Sequence, residues 1–394
     1  MSHLLKSNPG GQIAPADVIG RDAYIARLWS ILRNQSLVLT AERRVGKTCV
    51  VRKMQEESPP GFLCTYHDLE GLATPLDFVE AVFHDIEHYL GRLRKLAVKT
   101  RLSIANLAGA EMSGVRLPEA LAPHWPRVLS VLLEDFAEHA DHNLLVCFWD
   151  EFPLMLQNVI RSGCSGDAMQ LLDVLRSLRQ TKAPLRMVFT GSIGLQHVLS
   201  ELKRDGYTNE PVNDTWRETL PPLDESAAED LAARLLVGDG VPCSDPQAVA
   251  HAIAAATDGV PYYIHHIVHS LGLRSSSVAP SDVADTVASG LTNANDAWDM
   301  RHYRSRMDHY YNDGDRPVAL AILDVLATVD IPLPFADLLN RTKSAKVIHD
   351  DEAFRRVLYL LASDHYVNQE KTGEWRFAFG LVSRWWRISR GLPQ

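Results

Sequence analysis

The chain alternates between short, almost wholly apolar runs and longer stretches in which apolar residues recur at helical spacing. Runs of the first kind cover 36–40, 62–67, 144–149 and 186–190, and a further short strand is expected near 217–220. Apolar character without polar alternation predicts strands buried on both faces, the mark of a parallel sheet. The stretches between them read as helices. Asp167 to Gln180 carries Leu171, Leu172, Leu175 and Leu178 on one face, and further helical stretches fall near 75–95 and 118–139. Strands and helices alternate, so residues 1–222 are expected to form an α/β domain with a parallel sheet. The polar, Gly-containing segment 96–117 exceeds what a crossover needs and reads as an insertion.

After Pro221-Pro222 the strand pattern stops. Helices are expected at 226–236, 246–256 and 261–272, the first with Ser226 as N-cap and Glu229 completing a capping box. Ser275 to Ser277 and Pro280 mark a break, and 281–291 is a further helix, giving a helical lid over 223–315. Residues 316–394 have the pattern of a winged helix. Helices are expected at 319–326, 334–339 and 352–363, the last with Phe354, Val357, Leu358 and Leu361 on one face. Two alternating strands, 366–369 and 375–379, are joined by Lys371-Thr-Gly-Glu374 as a hairpin wing, and Trp385-Trp386 anchors a terminal helix.

The chemistry lies at strand ends. Ala41-Glu-Arg-Arg-Val-Gly-Lys-Thr48 follows the first strand and precedes a helix-compatible run from Cys49 to Met54. That is the order of a phosphate-binding P-loop, whose backbone N–H groups cradle phosphate oxygens at a helix N-terminus. Lys47 would reach the β- and γ-phosphates and Thr48 would offer its hydroxyl to Mg²⁺. Arg43, Arg44, Val45, Gly46 and Cys49 complete the loop; the two arginines would contact the nucleotide or pair with the lid. Ala41 stands where the usual pattern has Gly, which implies weakened or altered binding. The strand Leu144 to Trp149 ends in Asp150-Glu151. Asp150 is the candidate to hold Mg²⁺ through water, and Glu151 to act as general base. The strand ending in Thr190-Gly-Ser192 supplies polar candidates for sensing the γ-phosphate. Arg204 and Arg217 are candidates for an arginine offered to a neighbouring subunit.

Taken in order, Val18-Ile-Gly20-Arg21, the Arg-Arg-Val-Gly-Lys-Thr loop, Asp150-Glu151, Thr190-Gly-Ser192 and Asp258-Gly-Val-Pro261 resemble the archaeal-type P-loop ATPases that bridge the AAA+ and STAND groups. The resemblance implies ATP and Mg²⁺ as ligands. It also implies roles for Gly20 and Arg21 beside the nucleotide, for Ser192 as sensor, and for Pro261 in the lid. Origin-recognition ATPases are similar too, but they usually place an arginine in the lid helix, and Tyr262 to Leu271 has none. The implied function is a slowly hydrolysing ATP switch that governs oligomerisation or engagement of a separately encoded effector or sensor. The alternative is a DNA-binding initiator- or transposition-type ATPase that uses its winged helix. A third reading is a nucleotide-binding scaffold without useful hydrolysis.

Composition changes this picture little. At 394 residues the chain has room for two to three domains, and its 46% apolar content is ordinary for globular proteins. No run is long enough to span a membrane and no secretory signal is visible, so a cytoplasmic protein is expected. Five cysteines without paired spacing read as reduced, mostly buried thiols. A net charge of −9 argues against general polyanion binding, although Lys371, Arg376, Arg384, Arg387 and Arg390 concentrate positive charge near the end. His265 and His269 share a helical face at a spacing zinc can use, but lack a third ligand nearby and read as an ordinary lid pair. Asp364-His365 reads as a turn.

Overall fold

The computed structural model describes residues 4–90, 119–138, 140, 142–191, 194–344 and 350–393. They form two compact units. One comprises Ala14–Arg43 and Lys47–Leu220; the other comprises Met1–Ile13, Arg44–Gly46 and Pro221–Gln394. The expected insertion at 96–117 lies outside the described residues, as does Ser192.

The first unit is built on strands β1 (Leu37–Thr40), β2 (Phe62–Asp68), β3 (Leu144–Asp150), β4 (Leu185–Thr190) and β5 (Trp216–Thr219). All are parallel, in the order β2-β3-β4-β1-β5, so β4 stands between β1 and β3. The helices are α1 (Asp22–Leu32), α2 (Lys47–Glu56), α3 (Pro75–Leu90), α4 (Trp125–Glu138), α5 (Phe152–Arg161), α6 (Ser165–Thr181) and α7 (Leu195–Arg204). The central strands are covered on both faces, which is why β1, β3 and β4 are mostly apolar, whereas the edge strand β5 is polar and largely exposed. Leu145, Cys147, Trp149, Met187 and Phe189 pack with residues of α3 to α7 in one core. Phe152 reinforces it, its ring 4.6 Å from that of Phe189. The opposite face carries Phe148, against which Trp29 of α1 packs edge-on at 6.2 Å. Side chains alternate along a strand, so Asp150 and Thr190 belong to this second face.

In the second unit, helices α8 (Glu225–Gly238), α9 (Pro246–Ala256), α10 (Pro261–Gly272) and α11 (Pro280–Leu291) precede α12 (His302–Tyr310). The N-cap of α8 is Asp224, whose carboxylate accepts from the Ala227 N–H at 2.8 Å, so Ser226 lies inside the helix and the expected capping box does not form. A carboxylate two residues earlier reaches the orphan amides first. Helices α13 (Asp315–Ala327), α14 (Phe335–Ser344) and α15 (Asp351–Ser363) follow. Next come the antiparallel pair β6 (Val367–Gln369) and β7 (Trp375–Phe377), then α16 (Gly380–Ser389). Leu333 pairs with Trp375 and sets a third short segment antiparallel beside β7.

Trp386 is fully buried and donates to Asp324 Oδ1 at 2.8 Å, which fixes α16 on α13. Asp258 accepts from the Leu381 N–H at 2.8 Å and so supplies the start of α16 with a cap from a distant turn. The N-terminal segment is part of this unit: the Asn8 N–H donates to His265 Nδ1 at 3.1 Å, and Ser7 pairs with Asp239. His265 is thus a hydrogen-bonded core residue. His365 has φ 63° just after α15, the turn expected there.

Candidate functional site

The loop from Ala41 to Gly46 joins β1 to α2. Its shape needs two residues with positive φ, Arg44 at 72° and Gly46 at 97°. An added Cβ on Gly46 would meet no atom within 4 Å, so the backbone angle rather than crowding calls for glycine there. Ala41 is buried, and Glu42 Oε1 accepts the Arg43 N–H at 2.8 Å. Lys47 and Thr48 open α2, where the unpaired amides of the first turn and the helix dipole favour negative charge. Cys49 follows, half-buried.

Asp150 is the meeting point of three elements. Only 2% of it is exposed, so its carboxylate must be satisfied by protein donors. The Thr48 hydroxyl of α2 donates to Oδ2 at 2.6 Å. The Thr190 hydroxyl of β4, itself 1% exposed, donates to Oδ1. The phenol of Tyr66 on β2 is 3.4 Å from Oδ2, and the Glu151 N–H is 3.2 Å from Oδ1. Lys47 Nζ stands 4.0 Å from Asp150 and 3.6 Å from Glu151 Oε1, placing one buried ammonium against both carboxylates. Glu151 has left-handed φ (55°) at the N-cap of α5, where the chain turns sharply from strand to helix and Pro153 follows. The turn leaves Glu151 partly exposed while Asp150 is enclosed.

The remaining candidates fall elsewhere. Gly20 has φ 70°, and Arg21 is buried as the N-cap of α1. Arg204 ends α7 and Arg217 lies on β5; both are exposed. Arg44, Val45 and Pro261 group with the C-terminal unit. Val45 is buried, and Pro261 is the first residue of α10. Arg44 donates to Asp299 at 2.8 Å and lies 4.4 Å over the Tyr262 ring.

Sequence reasoning missed Tyr66 and Arg52. A single tyrosine in an apolar strand, and one arginine on a helix, carry no signal of their own. Only the strand register, which pairs Asp68 with Asp150 and Tyr66 with Phe148, places the phenol beside the carboxylate. The thiols of Cys64 and Cys147 are pushed up to about 12 by burial and stay protonated.

No family model matches the chain, and no curated protein matches it. Among solved structures it is similar to the Walker-type ATPase of Pyrococcus abyssi. The two share 16% identity over 95% of this chain and 97% of that one, with a TM-score of 0.64. It is also similar to the ORC2 protein of Aeropyrum pernix in its ADPNP–ADP complexes, with 13% identity, a TM-score of 0.49, and 94% and 92% of the two chains covered. At such identities the first likeness is one of fold, that of an α/β P-loop ATPase.

Proposed function

We propose that the chain is an ATP-binding, slowly hydrolysing molecular switch of the AAA+/STAND type that works with Mg²⁺. The observation that carries this reading is the convergence of Lys47 and Thr48 on the buried Asp150 and on Glu151 at the C-terminal end of a parallel sheet. The donor set fits a nucleotide polyphosphate with its metal: an ammonium, a hydroxyl adjoining a carboxylate, and a helix N-terminus. Thr48 and Asp150 would hold the metal, which when bound neutralises charge on the β- and γ-phosphates. Lys47 binds the phosphates beside it. Glu151 orients water and takes its proton, and Thr190 holds Asp150 in place.

The reading extends to the other candidates. Helices α8 to α11, which carry Pro261, would act as the lid, and Gly20, Arg21, Arg43 and Arg44 would contact the nucleotide. Elements α13 to α16, three helices, a hairpin and a last helix, would form the winged helix. Arg204 and Arg217 are exposed, as an arginine acting on a neighbouring subunit must be. The switch would act through homo-oligomer contacts or a separate effector.

The state of the C-terminal arginines favours this over the DNA-binding alternative. Arg356 of α15 makes two hydrogen bonds to Asp315, at 2.7 and 2.6 Å. Arg376 pairs with Glu370, Arg384 donates to the Ala256 carbonyl, and Arg387 donates to the Ala327 carbonyl. Guanidinium groups so occupied must break internal contacts to reach a phosphate.

Glu151→Gln tests the hydrolytic part. It keeps the side chain's size and removes the base, so ATP binding should persist while turnover falls by about 100-fold or more. Parental turnover in this variant would place the base elsewhere.

A further inference from the structure

Asp150 Oδ2 carries a donor that none of the sequence motifs accounts for. Tyr66 shares the sheet face of Asp150 through the β2–β3 register. Its hydroxyl lies 3.4 Å from the same oxygen that accepts from Thr48 at 2.6 Å. The distance is long for an O–H···O bond, so this tether is weaker than that of Thr48.

Behind Tyr66 stands Arg52 of α2. Its guanidinium carbon is 4.9 Å from the phenol ring centroid, a cation–π contact that holds the ring in place. An ionised carboxylate only accepts, so in the contact with Asp150 the phenol is the donor. Helix α2 therefore holds Asp150 twice: directly through Thr48, and indirectly through Arg52 and Tyr66.

We propose that Tyr66, oriented by Arg52, is a positioning residue that sets the Asp150 carboxylate for the Mg²⁺ of a bound nucleotide. Losing the phenol proton leaves Oδ2 held by Thr48 alone, the hydroxyl that must also serve the metal. The lysine and the loop amides, which meet the phosphates themselves, are unaffected. Tyr66 thus governs the metal dependence of nucleotide binding more than nucleotide binding itself. The inference rests on the reading of the site as an ATP·Mg²⁺ site.

The test is a Mg²⁺ titration of the full chain at fixed, saturating ATP, read as the rise in thermal midpoint, for the parent, Tyr66→Phe and Arg52→Met. Tyr66→Phe keeps the ring under Arg52 and removes only the hydroxyl. It should need about three- to tenfold more Mg²⁺ for half the rise, while its response to ATP in EDTA stays parental. Arg52→Met should move the Mg²⁺ midpoint in the same direction by less. A parent that responds to ATP·Mg²⁺, with a Tyr66→Phe midpoint equal to it, overturns the positioning role alone. A parent that does not respond overturns the nucleotide reading, and this inference with it. Should Tyr66→Phe fail to fold, Arg52→Met decides: an unchanged Mg²⁺ midpoint overturns the proposal.

Discussion

The two units use their charged residues in opposite ways. At the C-terminal edge of the sheet, one buried carboxylate gathers hydroxyls from α2, β2 and β4, and it shares an ammonium with the carboxylate beside it. In the C-terminal unit the arginines are spent one at a time. Arg356 goes to Asp315, Arg390 to Asp324, and Arg384 and Arg387 to carbonyls at helix ends. Each of these charges is answered where it stands. Convergence of groups from separate elements, not the number of charges, marks the place where chemistry is set up.

Acid should separate the units most sharply. Burial pushes the His265 imidazole down to about 4, against the opposing pull of Asp239. Unfolded, the ring titrates near 6.5. Well above that value both states are neutral and pH changes nothing. As pH falls through it, the unfolded chain takes up a proton that the folded one refuses, and stability drops until the folded ring also titrates. Between pH 7 and 5 the loss should be about 2 kcal/mol. His266, lowered mainly by burial, adds to it in the same direction. Denaturant melts of the parent and His265→Gln at the two pH values measure the difference. An equally steep pH dependence in the variant would remove His265 from the account.

Arg356→Ala should come next in size. It leaves Asp315, which is 6% exposed, with the Asn312 amide as its remaining side-chain partner, and should cost about 1–2 kcal/mol of stability. The ATP-induced shift, measured on the same samples, should be parental. A lost nucleotide response with stability intact would mean that this arginine serves the site and not the fold.

The smallest effect should come from the residues the DNA alternative depends on. Arg376→Ala combined with Arg384→Ala in the full chain should leave weak duplex binding and its salt dependence nearly unchanged. Sub-micromolar, salt-dependent binding by the parent that is lost in this variant would promote the DNA-binding reading.

Much of the fold could be read from the sequence, for identifiable reasons. β3 is apolar from Leu144 to Trp149 because both faces of a parallel sheet are covered, so its limits and its terminal Asp150 were plain. Helices α9 and α10 begin at Pro246 and Pro261, and proline at a first helical position fixes a boundary. What stayed hidden depends on long-range pairing. The donation from Asn8 to His265 spans most of the chain, and the pairing of Arg356 with Asp315 joins two helices that local patterns treat separately. Thr190 looked like a group open to a phosphate. The placement of β4 beside β3 brings its hydroxyl to Asp150, a partner that local sequence does not reveal. At the site, the motifs gave Lys47, Thr48, Asp150, Glu151 and Thr190, while Tyr66 came only with the sheet order.

The central claim is that the groups converging on Asp150 bind ATP with Mg²⁺. Calorimetric titration of ATP·Mg²⁺ into the full chain and into Lys47→Ala tests it most directly, because this lysine is the one cation placed against both carboxylates among the described residues. The account predicts a saturable isotherm near one nucleotide per chain for the parent and none for Lys47→Ala, with both proteins folded. Equal binding by the two would contradict it.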